Sequence, residues 1–322
     1  MKTISFVIPV YQEQDNLVLM YEALQNMMTG QSDQYDWDVI FVNDGSPDGS
    51  GEILEELSQK ESRCRVIELS RNFGKEIALS AGVDYASGDA VIFLDADLQH
   101  PPDRITDMLR CWEDGYEVVE MVRAYTVGEP WLRRLGSTLF YKILKLISST
   151  DILAKTTDFR LLDRKVVQAL RRVEERQRMF RGIVDWLGFR KVRLDFEAPA
   201  RQYGTPVYSY GKLLNLALNS FISYSSLPLK LIGVLGIGIT VISGLVLFWM
   251  TAVTLIADEY WNITPMAFIV VSNLVLTGVT LSTLGLMSLY LSKIYSEVQN
   301  RPLYTIRRTI NIDESHSFSG LK

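Results

Sequence analysis

Apolar and polar positions alternate in two rhythms along the first 120 or so residues. Short apolar runs of strand length occur at 4–10 (ISFVIPV), 38–44 (DVIFVND), 65–70 (RVIELS), 90–98 (AVIFLDADL) and 117–123 (EVVEMVR). Between the first two, Leu17, Met20, Tyr21, Leu24 and Met28 recur every three or four residues, so they share one helical face. Residues 52–60, 75–86 and 103–115 read as further helices. Strands that are nearly all apolar, alternating with helices, predict crossover units around a mostly parallel sheet covered on both faces. The expected fold class is therefore α/β.

Sheets of this kind bind ligands beyond the carboxyl ends of their strands. Pro9, Tyr11 and Glu13 stand at the end of the first predicted strand, and Asn43, Asp44 and Gly45 at the end of the second. Arg71, Asn72 and Phe73 follow the third, and Asp95, Asp97 and Gln99 close the fourth. Polar groups thus converge on one rim.

Downstream the pattern changes. Residues 160–193 hold eleven Lys/Arg against four Asp/Glu, with Met179, Phe180, Ile183, Val184, Trp186, Leu187 and Phe189 interleaved. A solvated helix face is the ordinary outcome of such a run. The interleaved apolar residues favour a segment facing an anionic membrane surface. Residues 210–226 then read as an interfacial helix.

Two stretches, 231–257 and 264–292, carry no charged residue. Each exceeds the roughly 20 apolar residues needed to cross a hydrocarbon core. The link between them contains Tyr260 and Trp261, which suit the headgroup level. Lys212 and Lys230 precede the pair, and Lys293, Arg301, Arg307 and Arg308 follow it. That distribution predicts a two-span hairpin with both termini cytoplasmic.

The resulting organisation is a cytosolic domain over 1–207, a juxtamembrane helix over 208–229, two spans within 230–293 and a cytosolic tail over 294–322. The tail ends in a polar segment expected to be disordered. The N-terminus runs straight into a strand pattern, so no signal peptide is expected. A formal charge of −5 argues against a nucleic-acid partner. Cys64 and Cys111 have no metal or redox spacing and read as reduced, packed thiols.

The candidate chemistry lies in DADLQHPP, which begins at Asp95. Two aspartates one residue apart point to opposite faces of an extended strand, so both can meet one ion only where the chain turns. Hard oxygen ligands suit Mg2+ or Mn2+, and Mg2+ prefers few protein ligands completed by substrate phosphates. An Asp-x-Asp at a sheet rim is therefore a candidate diphosphate clamp. Asp44, at the neighbouring strand end, could accept the ring N–H of uracil or guanine.

VIPVYQEQDNL, VNDGSPDGS, RNFGKEIAL, DADLQHPP, TDFRLLD and FRGIVDWLGF, followed by two apolar spans, together resemble a known family. It is that of the inverting, A-type glycosyltransferases acting on polyprenyl phosphates, the bactoprenol glucosyltransferases and dolichol-phosphate mannose synthases. The resemblance implies a Rossmann-like catalytic domain, with Pro9, Tyr11, Glu13, Val42, Asp44, Arg71, Lys75, Asp95, Ala96 and Asp97 holding a nucleotide sugar. It implies Asp95, Asp97 and Gln99 as ligands of Mg2+ or Mn2+, and Arg123, Arg134, Arg160 and Arg201 as contacts of the acceptor phosphate.

Asp158, with Asp97, would be catalytic, either as a base or as a positioning group; otherwise Asp158 is a helix-terminus aspartate bonded to backbone N–H groups. The chain departs from the family pattern after Gly204, where Thr205-Pro206-Val207 replaces a hydroxyl–lysine pair. The implied reaction moves a hexose, with UDP-glucose favoured, onto undecaprenyl phosphate at the bacterial inner membrane. The implied assembly is a homo-oligomer. GDP-mannose or a UDP-amino-pentose as donor, or a non-catalytic lipid-binding scaffold, are the alternatives.

Overall fold

The computed structural model describes residues 1–123, 156–176, 178–196, 245, 248 and 265–312. The chain divides into one unit of Met1–Val207 with Arg301–Lys322, and a second of Tyr208–Asn300.

In the first unit the elements run β1 (Lys2–Val10), α1 (Leu17–Thr29), β2 (Tyr35–Asn43), α2 (Ser50–Lys60), β3 (Cys64–Leu69), α3 (Lys75–Tyr85) and β4 (Ala90–Phe93). They continue with α4 (Ile105–Glu113), β5 (Val118–Arg123), β6 (Thr156–Asp163), α5 (Arg164–Arg171), α6 (Phe180–Leu187) and β7 (Lys191–Phe196). A last strand, β8 (Ile306–Ile310), belongs to the same sheet. The strand order is β7-β5-β6-β4-β1-β2-β3-β8. The central β3-β2-β1-β4 block is parallel, whereas β6 runs antiparallel to both β4 and β5, and β8 antiparallel to β3.

Strand alternation divides the core in two. Ile4, Phe6, Ile8, Val39 and Phe41 face α1, α2 and α4, while Val7, Ile40 and Val42 face α3, α5 and α6. Successive residues of a strand point to opposite faces, so an unbroken apolar run serves both layers. Helix α3 lies close on the sheet because Gly82 sits against Val7 and Val42, where any side chain would collide.

Three sequence expectations change here. The fourth strand ends at Phe93, so residues 94–98 form the turn that carries the aspartates. Residues 306–310, within the expected cytosolic tail, pair with β3 as an edge strand, and Asn311 donates to the carbonyls of Ser58 and Cys64. The apolar residues of the basic segment are mostly core: Phe180, Ile183 and Val184 are buried, and of the seven only Trp186 is largely exposed, at 65%.

In the second unit, α7 (Pro265–Val298) is one helix of 34 residues. At 1.5 Å per residue it is about 50 Å long, against a hydrocarbon core of about 30 Å. Its sequence has no charged residue before Lys293. Over the residues whose side chains are described, no helix is long and apolar enough to cross a membrane. The helix expected at 210–226 and, apart from Leu245 and Phe248, the stretch 231–257 lie outside the described residues.

Candidate active site

The chain winds from β1 to β2 and β3 on one side and places β4 on the other side of β1, a switch point past whose carboxyl ends parallel sheets bind ligands. Phe93 of β4 pairs with Arg160 of the antiparallel β6. Two residues further along β4, and two back along β6, stand Asp95 and Asp158. The register therefore brings these two acids together just past the strand end.

Lys75, the first residue of α3, binds both. Its Nζ lies 2.5 Å from Asp95 Oδ1 and 2.6 Å from Asp158 Oδ2. Arg181, in the first turn of α6, clasps Asp158 at two points, with Nε 2.6 Å from Oδ1 and Nη2 3.1 Å from Oδ2. Asp158 is buried, and it lies in a strand rather than at a helix end.

Burial alone would raise the Asp158 carboxyl, but Lys75 and Arg181 outweigh it and hold it well below the usual carboxylate range. Burial likewise opposes the Lys75 ammonium, yet Asp95 and Asp158 raise it above an ordinary lysine. Asp95 is lowered because Lys75 overcomes its burial. Glu76 is raised, first by burial and then by Asp158.

The turn after β4 is held from within. The Asp95 backbone N–H donates to His100 Nδ1 at 2.9 Å, and the Gln99 N–H to Asp97 Oδ1 at 3.1 Å. Leu98 adopts φ 57°, the left-handed conformation that closes the turn. His100 is buried and stacked on Phe159, with ring centroids 5.0 Å apart. Burial lowers its pKa, so the ring is a neutral acceptor that shapes the turn.

Asp44 is also buried. Its two oxygens accept the N–H groups of Phe73 (2.7 Å) and Gly74 (2.8 Å), tying the β2 turn to the loop before α3. Burial raises this carboxyl and the two N–H groups oppose the rise. Gly45, at φ 63°, approaches so closely that a Cβ would lie 2.5 Å from the Arg71 carbonyl carbon.

The other expected site residues divide by exposure. Tyr11 is 40% exposed and Arg71 is exposed, its guanidinium 4.0 Å over the Phe73 ring. Pro9, Glu13, Gln99 and Arg123 are partly buried, Ala96 is buried, and Asp97 nearly so. Glu13 accepts from Asn16 Nδ2 at 2.7 Å. The Val42 side chain is fully buried in the core, so only its backbone can face a ligand.

Arg160 differs from expectation. Its side chain is 0% exposed and faces Glu120, also 0% exposed, with Nη1 3.5 Å from Oε1. Arg193 meets the other Glu120 oxygen at 3.1 Å. Register dictates this row, because Glu120 lies opposite Arg160 on one side and Arg193 on the other. A guanidinium sealed inside the sheet cannot contact an acceptor phosphate. Arg134 and Arg201 lie outside the described residues.

No cluster of three or more His, Cys, Asp or Glu among the described residues could hold a metal ion. The donors in the β4 turn are two carboxylates and an amide. This hard-oxygen set fits a divalent cation completed by phosphate oxygens rather than a cage supplied by protein alone. Lys75 meets Asp95 with a positive charge at the same place.

Residues 5–171 match the sequence profile described as glycosyl transferase family 2. The chain belongs to this family. It is 36% identical over 314 residues to the uncharacterized glycosyltransferase YkcC of Bacillus subtilis, covering 98% of this chain and 96% of that one. It is 34% identical over 306 residues to the SfII prophage-derived bactoprenol glucosyl transferase of Shigella flexneri, covering 95% and 98%. Among solved structures it resembles glucosyl-3-phosphoglycerate synthase of Mycobacterium tuberculosis, at TM-score 0.47 and 17% identity over 69% of this chain and 79% of that one. The buried ion pairs thus belong to a glycosyltransferase, with Lys75 and Asp158 at the switch point of its sheet.

Proposed function

We propose that this family 2 glycosyltransferase moves a hexose from a nucleotide sugar, UDP-glucose in the favoured reading, to undecaprenyl phosphate, giving a β-linked polyprenyl phosphosugar. The observation that carries the reading is the Lys75 bridge between Asp95 and Asp158 at the switch point between β1 and β4. A bactoprenol glucosyl transferase matched over almost its whole length supports the lipid acceptor.

Pro9, Tyr11, Glu13, Asp44, Arg71 and the backbone at Val42 and Ala96 are the proposed donor pocket. Asp44 fixes the loop preceding α3, so it acts on the pocket's shape as well as on a base. Asp95, Asp97 and Gln99 would hold Mg2+ or Mn2+. When bound, that cation supplies neutralisation of the charge developing on the leaving diphosphate.

A lipid monophosphate, with a second pKa near 6 by analogy with phosphoesters, is largely dianionic at neutral pH. Its oxygen attacks the anomeric carbon, the bond to the diphosphate breaks, and the electron pair leaves on the diphosphate. A single displacement turns an α-linked donor into a β-linked product. No proton has to be removed from such a nucleophile. Asp158, held ionised between two cations, is a poor base and a good anchor for them. Lys75 is placed to redistribute its charge between the acids and an incoming phosphate. Arg123, Arg134 and Arg201 are the proposed acceptor contacts.

In this reading α7 is one of two spans that keep the enzyme in the bacterial inner membrane with its lipid substrate. The test is equilibrium binding of UDP to the purified full chain with and without Mn2+. Binding should need the cation and fall at least about tenfold in Asp95→Asn and Asp97→Asn, as loss of a metal–phosphate contact requires. Equal binding by wild type and both variants contradicts the assigned clamp.

A further inference from the structure

The family resemblance gives Arg181 no role, yet its side chain holds Asp158 more fully than any other described residue does. We infer that Arg181 is a positioning residue for glycosyl transfer, which with Lys75 fixes the Asp158 carboxylate in one orientation. The inference rests on the reading that sugar and acceptor meet beside Asp158.

Three observations support it. The clasp is a two-point contact, at 2.6 and 3.1 Å, which fixes angle as well as distance. The Asp158 side chain is 4% exposed and that of Arg181 36%, so the acid is enclosed while the guanidinium reaches the open side. The clasp is also registered to the strand end that carries Asp95. Phe180, next to Arg181, packs its ring on Phe93, the last residue of β4, at 4.7 Å between centroids. Its backbone N–H donates to Glu76 at 2.7 Å, and Glu76 follows Lys75 in α3. The starts of α3 and α6 are thereby joined, and each delivers one cation to Asp158.

Arg160 completes the setting. It lies on the same sheet face as Asp158, fully buried, with Glu120 as its ion-pair partner. Because it is paired with Glu120, Arg160 is not one of the groups that hold Asp158. Lysine cannot reproduce a two-point clasp from position 181.

A residue that works only through Asp158 has a kinetic signature: its loss costs little once Asp158 is gone. The experiment measures kcat and KM of the full-length enzyme for nucleotide sugar and polyprenyl phosphate in wild type, Arg181→Gln, Asp158→Asn and the double variant. Arg181→Gln should lower kcat by about 10²-fold. Its KM for the nucleotide sugar should change by less than about threefold. In the Asp158→Asn background the same change should cost less than about threefold.

Losses that multiply, or a KM effect as large as the kcat effect, overturn the inference and make Arg181 an independent substrate contact. Wild-type kcat in Arg181→Gln also overturns it. If that variant fails to fold, Arg181→Lys, which keeps the charge and loses the clasp, is read by the same criteria. Wild-type enzyme that hydrolyses nucleotide sugar without transferring to lipid refutes the acceptor reading alone, and the cycle is then scored on hydrolysis. Wild-type enzyme inactive with every donor refutes both.

Discussion

At the scale of single residues the site is a short line of alternating charge, Asp95–Lys75–Asp158–Arg181. Its pH behaviour follows from the direction of the Asp158 shift. A carboxyl depressed in the folded state contributes stability that is present above its unfolded value, about 3.9, and is lost as pH falls through the folded value. Asp158 therefore stays ionised from about pH 5 to 9. The kcat profile should show no ionisation from it, and Asp158→Asn should lower kcat by the same factor across that range. A wild-type acid limb near pH 6 that disappears in Asp158→Asn would make it a titrating base instead.

Asp95 and Asp97 were legible in sequence because an Asp-x-Asp closing an apolar run marks a turn at a sheet rim. Arg181 was not, since only the antiparallel pairing of Phe93 with Arg160 brings Asp158 beside Asp95 and the start of α6 beside both. Arg160 was misjudged for the same reason. Its neighbour across the strands is Glu120, and nothing in the spacing of TDFRLLD reveals that partner.

At the scale of elements, periodicity located the five strands and four helices of the first 123 residues, because burial on both faces leaves an unmistakable apolar run. It missed β8, whose sequence IRRTI carries two arginines. They face Glu68 and Glu55 on the solvent side, so an edge strand tied by ion pairs reads as a charged tail. In α6, Phe180, Ile183 and Val184 are buried in the core, a placement the charge-rich sequence around the helix does not reveal.

Helix α3, which begins with Lys75, packs closely on β1 and β2 at Gly82, where a Cβ would collide with Val7 Cγ1. Gly82→Ala should force that helix off the sheet and destabilise the domain by about 1–3 kcal/mol, the usual range for overpacking. Urea denaturation measures this, and an unchanged midpoint with an unchanged slope would contradict the packing.

At the scale of the whole molecule, the chain leaves the catalytic unit, passes through Tyr208–Asn300 and returns to finish the sheet. Tyr304, buried after that return, donates to Asp84 near the end of α3 at 2.8 Å. The segment after α7 is thus structural. Deleting 301–322 should lower the thermal midpoint of the full-length protein by several degrees, through loss of a strand and of this hydrogen bond. A midpoint equal to wild type would show that β8 is dispensable.

The central claim is sugar transfer to a polyprenyl phosphate, and product analysis tests it most directly. Purified full-length protein is incubated with undecaprenyl phosphate, a divalent cation and labelled UDP-glucose, GDP-mannose or a UDP-amino-pentose, and the lipid fraction is examined by mass and anomeric configuration. A β-linked undecaprenyl phosphoglucose should form from UDP-glucose and vanish with EDTA. A lipid fraction free of label with every donor, or an α-linked product, would contradict it.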